Sequence, residues 1–153
     1  MDLTGKVALV TGGKRIGGVV ATELARRGAS VAVVYRSSRA EADAVVTAIE
    51  AGGHGARALG ADLSDPEACD RVVAETVAAF GRLDVLVNMA SVYRATPIDQ
   101  LTVADWDDAL AVDLRATWLC SRAAVPHMRR QGGGRIVNFS DWVAASRRPQ
   151  YAG

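Results

Sequence analysis

The chain has 153 residues, enough for one domain with a real core and too few for two. Half of the residues are apolar, 23% are charged and the formal net charge is +1, so neither nucleic acid nor a membrane surface is expected as a partner. No apolar run approaches membrane-spanning length, residues 1–6 lack a signal-peptide core, and Cys69 and Cys120 show no metal or redox spacing, so a cytoplasmic protein with reduced thiols is expected.

Val7-Ala8-Leu9-Val10 is a continuous apolar run stopped by Thr11-Gly12-Gly13, the pattern of a strand buried on both faces. A helix from about Gly17 to Arg27 follows, with Val20 and Leu24 inward and Gly28 past its end. Ser30 to Tyr35 reads as a second buried strand. Ser38-Arg39-Ala40-Glu41 then reads as a capping box, before a helix carrying Val45, Val46 and Ile49. A third strand is expected near Ala56 to Leu59. Asp65-Pro66-Glu67 supplies an N-cap acid, a first-position proline and a first-turn acid for a helix that ends at Phe80-Gly81. Val85-Leu86-Val87 is a fourth strand. Thr102 caps a long helix through Trp106, Leu110, Leu114 and Trp118, spaced by four, with a bend expected near Pro126. Arg135 to Phe139 is a fifth strand. Strands alternating with amphipathic helices predict an α/β fold, a Rossmann-type doubly wound parallel sheet of order 3-2-1-4-5 that stops after strand 5, with ligands at the carboxyl ends beside the switch between strands 1 and 4.

The turn Thr11-Gly12-Gly13-Lys14-Arg15-Ile16-Gly17-Gly18 combines glycines with a helix start, which suits a pyrophosphate on free N–H groups. Its Gly12-to-Gly17 spacing also fits a P-loop, but Gly18-Val19 stand where Lys and Ser/Thr are required, which excludes triphosphate hydrolysis. About twenty residues on, strand 2 ends in Tyr35-Arg36-Ser37-Ser38. An acid there would hold the ribose 2′-OH of NAD, whereas an arginine with hydroxyls suits a 2′-phosphate, so NADP(H) is the expected cofactor, with Lys14 and Arg15 adding charge. His54 and His127 have no ligand partners at a usable spacing, and no metal is expected.

These features together resemble the short-chain dehydrogenases/reductases. The family's opening Thr-Gly turn matches Thr11-Gly12, with Ile16 and Gly17 in its closing Ile-Gly. Its acid facing the adenine matches Asp62, followed by Leu63. Its motif after strand 4 appears as Asn88-Met89-Ala90-Ser91, and the run before its catalytic serine matches Gly134-Arg135-Ile136-Val137-Asn138. The pteridine-reductase-like branch is the nearest likeness, through Arg15, through Ala90-Ser91 with the aromatic and Thr96-Pro97 that follow, and through Asp141 where most members have serine.

The resemblance implies hydride transfer between NADP(H) and a carbonyl, imine or pterin-like small molecule. Asp141 would orient the reacting groups, Trp142 would line the substrate pocket, and the complete protein would be a homo-oligomer. Three departures stand out. The glycine turn is one residue short. Asp113 replaces the family's helix-4 asparagine of a proton relay. The Tyr-x-x-x-Lys pair does not occur within the 153 residues, Tyr151 falling too early. Residues 1–153 are therefore expected to be one NAD(P)-binding domain, incomplete at its carboxyl end, inactive alone and prone to self-association. The rival reading is a non-catalytic dinucleotide-binding protein, a sensor or partner subunit.

Overall fold

The computed structural model describes residues 1–92 and 96–140. Five strands form one parallel sheet: β1 (Val7–Thr11), β2 (Ser30–Tyr35), β3 (Ala56–Gly60), β4 (Val85–Asn88) and β5 (Arg135–Asn138). Their order is β3-β2-β1-β4-β5, as the alternation of strands and helices predicts. The chain reverses its direction of travel across the sheet between β1 and β4, and this places a crevice at their carboxyl ends.

The strands alternate which face they serve. Ala8 and Val10 of β1, with Val31 and Val33 of β2, pack beneath α1 (Ile16–Arg26) and α2 (Arg39–Ala51) through Ala21, Ala25 and Ile49. Leu9, Ala32, Val34 and Leu86 face the other way, onto α3 (Pro66–Phe80) and α5 (Ala116–Arg130) through Val72, Val73, Leu119 and Met128. Both faces are covered, which is why β1 and β2 read as unbroken apolar runs. Cys69 and Cys120 are free and buried in the second cluster.

Helix starts follow the local chemistry with one correction. Asp65 caps α3 by accepting the Glu67 N–H at 3.0 Å, and Gly81 ends it in the left-handed region. Ser38 stands at the start of α2, but its side chain makes no capping bond there; Glu41 lies 3.9 Å from Lys14 instead. The reciprocal capping box belongs to Thr102 and Asp105, at the start of α4 (Val103–Ala109).

The expected long helix after Thr102 is interrupted by a π-helical turn, Leu110–Arg115, and α5 runs through Pro126 to Arg130. The row spaced by four, a core or interface face by its pattern, is exposed at Trp106, Leu110, Leu114 and Trp118. The core is met instead by Ala111, Val112, Ala116, Leu119 and Cys120.

At the amino end of the sheet, buried Asp84 fastens four segments. Its carboxylate accepts the Val7 N–H at 2.9 Å, both Arg82 guanidinium nitrogens at 2.7 Å and the Gln131 amide at 3.2 Å, with Lys6 at 3.5 Å. Its backbone also pairs with Val7 and Arg135. Burial pushes this carboxyl upward, but Arg82, the Val7 N–H and Lys6 together outweigh burial and hold it below the ordinary carboxylate value. A folded-state value below the unfolded one stabilises the fold above the ordinary range near about pH 4, and the contribution is lost as pH falls through the folded value. Asp84→Ala, which leaves the Val7 N–H and Arg82 unmatched, is expected to cost about 2–3 kcal/mol in urea unfolding at neutral pH. The Asp84→Asn protein should lose less additional stability than the native chain as pH falls from neutral to acid denaturation. Parallel acid profiles would remove Asp84 from the account.

Candidate functional site

The carboxyl end of β1 is built around one hydroxyl. Thr11 is buried, and its Oγ1 accepts the N–H groups of Met89 at 3.0 Å and Ala90 at 3.1 Å. The loop after β4 is thereby held against the start of the glycine turn. The turn itself is wedged between β2 and β4. The N–H groups of Gly12 and Gly13 both donate to the Val34 carbonyl, at 3.2 and 2.9 Å. Gly12 has φ +87°, and a Cβ there would stand 2.9 Å from the Met89 carbonyl oxygen. A Cβ at Gly17 would overlap the Gly12 carbonyl, so the first turn of α1 reaches β1 only because residue 17 has no side chain.

Beyond Gly13 the turn leaves donors open. Among the described residues, the N–H groups of Lys14, Arg15 and Ile16 have no backbone partner. They lie together at the amino end of α1, where the helix dipole adds positive potential. Arg15 takes φ 55°, the one described non-glycine residue with positive φ. A side chain held in this region costs about 1–3 kcal/mol of backbone strain.

A cleft of about 250 Å³ opens beside the turn. One rim is Tyr35, Arg36, Ser37 and Ser38 with Lys14; Ala61, Asp62 and Leu63, which follow the neighbouring β3, and Ala90 and Ser91, which follow β4, complete the lining. Arg36 makes no ion pair with the described residues. Asp62 accepts the N–H of Ser64 at 3.0 Å and its hydroxyl at 2.8 Å. These two bonds, aided by the charge of Arg36 and opposed by partial burial, hold its carboxyl below the ordinary value, so it is anionic at neutral pH.

The structure thus brings most of the sequence-derived positions to one cavity: Gly12, Lys14, the 35–38 segment, Asp62, Leu63, Ala90 and Ser91. Arg15, Ile16 and Gly17 belong to the adjoining turn and do not line the cavity. Asn88 lies beneath it, buried, and donates to Asn138 Oδ1 at 2.9 Å and Ser121 Oγ at 3.1 Å, joining β4, β5 and α5. Asp113 does not line it either. Its carboxylate, exposed on the π-helical turn, accepts the Val92 N–H at 2.9 Å and so supports the end wall from behind. Gly13, Val34, Ala61, Val92 and Val112 also line the cavity without having been singled out. Gly13 is part of the turn motif, but the others are apolar side chains with no chemical signature in a sequence. Asp141, Trp142 and Tyr151 lie outside the described residues. No cluster of three metal-ligating side chains occurs among the described residues, and none of their helices is long and apolar enough to cross a membrane.

The role of Thr11 is open to a direct measurement. Thr11→Val keeps the shape of the side chain but strands two N–H donors, and is expected to lower stability by about 2 kcal/mol and to weaken any ligand of the cleft. Thr11→Ser should restore most of both. Chemical denaturation of the two variants decides it, and equal stability of Val and Ser at this position would show that the hydroxyl does not hold the loop.

Comparison with known proteins agrees with this architecture. The family model described as short chain dehydrogenase matches residues 6–152. A hydroxynaphthalene reductase of Aspergillus fumigatus is 40% identical over 153 residues, which are 99% of this chain and 55% of that protein. A 3-oxoacyl-(acyl-carrier-protein) reductase of Staphylococcus aureus is 39% identical over 148 residues, 96% of this chain and 60% of that one. Among solved structures, a short chain dehydrogenase from Burkholderia cenocepacia in complex with NADP superposes with a TM-score of 0.90 at 43% identity, covering 97% of this chain and 60% of that chain. A blue fluorescent protein from a metagenomic library, in complex with NADPH, gives 0.85 at 35% identity over 95% and 60% of the two chains. The chain therefore spans a little over half the length of these relatives. With its family match, its sheet order and its cleft at the β1–β4 switch, it belongs to the short-chain dehydrogenase family of oxidoreductases.

Proposed function

We propose that these 153 residues form the cofactor-binding part of an NADP(H)-dependent reductase that transfers hydride to or from a carbonyl or imine carbon. The observation that carries the reading is the rim of the cleft, where Arg36, Ser37, Ser38 and Lys14 present positive charge and hydroxyls at the end of β2. An acid at this place would select NAD through its ribose hydroxyls; a guanidinium suits the 2′-phosphate. The protein fits a dinucleotide, because residues 12 and 17, free of side chains, let α1 begin against the end of β1 and leave open N–H groups beside the cleft. In this reading the N–H groups of Lys14, Arg15 and Ile16 receive the pyrophosphate, Gly12 and Gly17 allow its approach, and Asp62 with Leu63 faces the adenine. Asn88, Ala90 and Ser91 form the support for the rest of the cofactor.

The bound nicotinamide supplies the hydride. Asp141 would orient the substrate or the proton donor, with Asp113 acting through the loop it holds. Tyr-x-x-x-Lys is absent from the 153 residues, so this polypeptide alone is proposed to bind cofactor without turnover. Arg15, Ala90-Ser91 and Asp141 favour a pterin-like ring among the carbonyl and imine substrates. The exposed row Trp106, Leu110, Leu114 and Trp118 is proposed to be covered by another copy in a homo-oligomer, and leaves the isolated polypeptide prone to self-association.

Titration of the purified protein with NADPH and NADH, read by cofactor fluorescence, tests the reading. NADPH is expected to bind about ten- to a hundredfold more tightly, the range for losing a charged phosphate contact. Arg36→Asp should remove the preference. Equal affinities in the native chain would overturn the NADP(H) assignment. A separate assay addresses catalysis: NADPH oxidation by the 153-residue polypeptide at a rate matching that of full-length relatives would refute the proposal that it lacks its proton donor.

A further inference from the structure

Beside the basic rim, outside the residues that line the cleft, stands a carboxylate that the expected ligand does not need. Glu41 occupies the first turn of α2, where the sequence pattern pairs it with Ser38 in a capping box. That box does not form. The Glu41 carboxylate lies 3.9 Å from Lys14 Nζ, so it bridges α2 to the glycine turn. The side chains are 64% and 53% exposed, and a pair this open is weak and exchangeable. The cations of the rim are therefore unequal. Arg36 makes no ion pair with the described residues, whereas Lys14 already has a partner. The acid that does line the cleft, Asp62, is engaged by Ser64.

A ligand carrying a phosphate at this rim brings between one and two negative charges near Lys14. It must draw Lys14 away from Glu41 and then share the rim with the carboxylate it has displaced. A ligand with a ribose hydroxyl in the same place meets neither cost. We propose that Glu41 is a specificity-determining residue: it holds Lys14 when no dinucleotide is bound, and it sets the preference for a 2′-phosphate below the limit that Arg36, Lys14 and the two serines would impose. The inference rests on the NADP(H) reading of the rim, but it concerns a residue with no assigned part in binding.

Glu41→Gln removes the charge and keeps the size and polarity. It is expected to tighten NADPH by about two- to fivefold, the range for a screened, exposed pair, and to leave NADH unchanged. The gain should shrink as salt is raised. It should also shrink when Lys14 is already Ala, because the exchange passes through the ammonium group. Glu41 also lies at the positive end of the α2 dipole, but a change in helix stability acts on both cofactors alike and leaves their ratio where it was. Unchanged NADPH affinity, a parallel change in both cofactors, or weaker NADPH binding would each overturn the proposal; the last would mean that Glu41 pre-positions Lys14 rather than competing for it. The two readings fail separately. A native chain that prefers NADPH while Glu41→Gln leaves the ratio fixed keeps the cofactor assignment and removes this role. A native chain with no preference that gains one in Glu41→Gln does the reverse.

Discussion

The organising constraint is the contact between Gly17 and the Gly12 carbonyl, which no Cβ could survive. It draws the amino end of α1 onto the carboxyl end of β1, so that the helix begins at the ligand side of the sheet and not above it. Two more close approaches depend on it. Gly12 packs against the Met89 carbonyl, and Gly13 against Val33 of β2. The turn therefore touches both β2 and the segment just past β4. Adding side chains here would push the helix away and close the space a pyrophosphate requires.

The two ends of the sheet are finished differently. At the amino end, Asp84 gathers the Val7 N–H, Arg82, Lys6 and Gln131, and satisfies a buried carboxylate almost entirely from within the protein. At the carboxyl end, Thr11 ties β1 to the β4 loop, yet the N–H groups just past it are left open. Buried polar groups are costly unless paired, so the open donors are tolerable only where solvent or a ligand reaches them.

Electrostatics at the cleft follow from the same economy of partners. Asp62 is occupied by Ser64 and kept anionic, which leaves it a fixed acceptor on one wall. Near it, Arg36, Ser37 and Ser38 follow directly from β2, whose register against β1 and β3 brings them to the rim. Ser38 makes no capping bond, so the start of α2 also faces this region without its own acceptor in place. The charge is local: the chain as a whole is nearly neutral, and the rim owes its positive character to placement and not to composition.

Much of this was legible in the residues. Unbroken apolar runs at Val7–Val10 and Ser30–Tyr35 suit strands covered on both sides, and their alternation with helices implies the parallel sheet and its order. Asp65-Pro66-Glu67 announced α3 because its capping chemistry is complete within three residues. The glycine turn and the 35–38 segment were readable because a backbone requirement and a charge are both local properties. What only the tertiary structure decided involves competition between distant groups. Ser38 and Glu41 carry the pattern of a capping box, but Lys14, twenty-seven positions away from Glu41 in sequence, offers that carboxylate a charge. The row from Trp106 to Trp118 had the pattern of a core or interface face, yet which face of a helix is buried depends on what it packs against, and here the smaller Ala111, Val112, Ala116 and Cys120 are buried. Asp113 found its partner in the Val92 N–H, and Thr11 found two donors nearly eighty residues on, through contacts that exist only once the sheet has set β1 beside β4. Local chemistry determines elements and their charges; which of two possible partners a side chain takes is decided by the geometry that folding brings within reach.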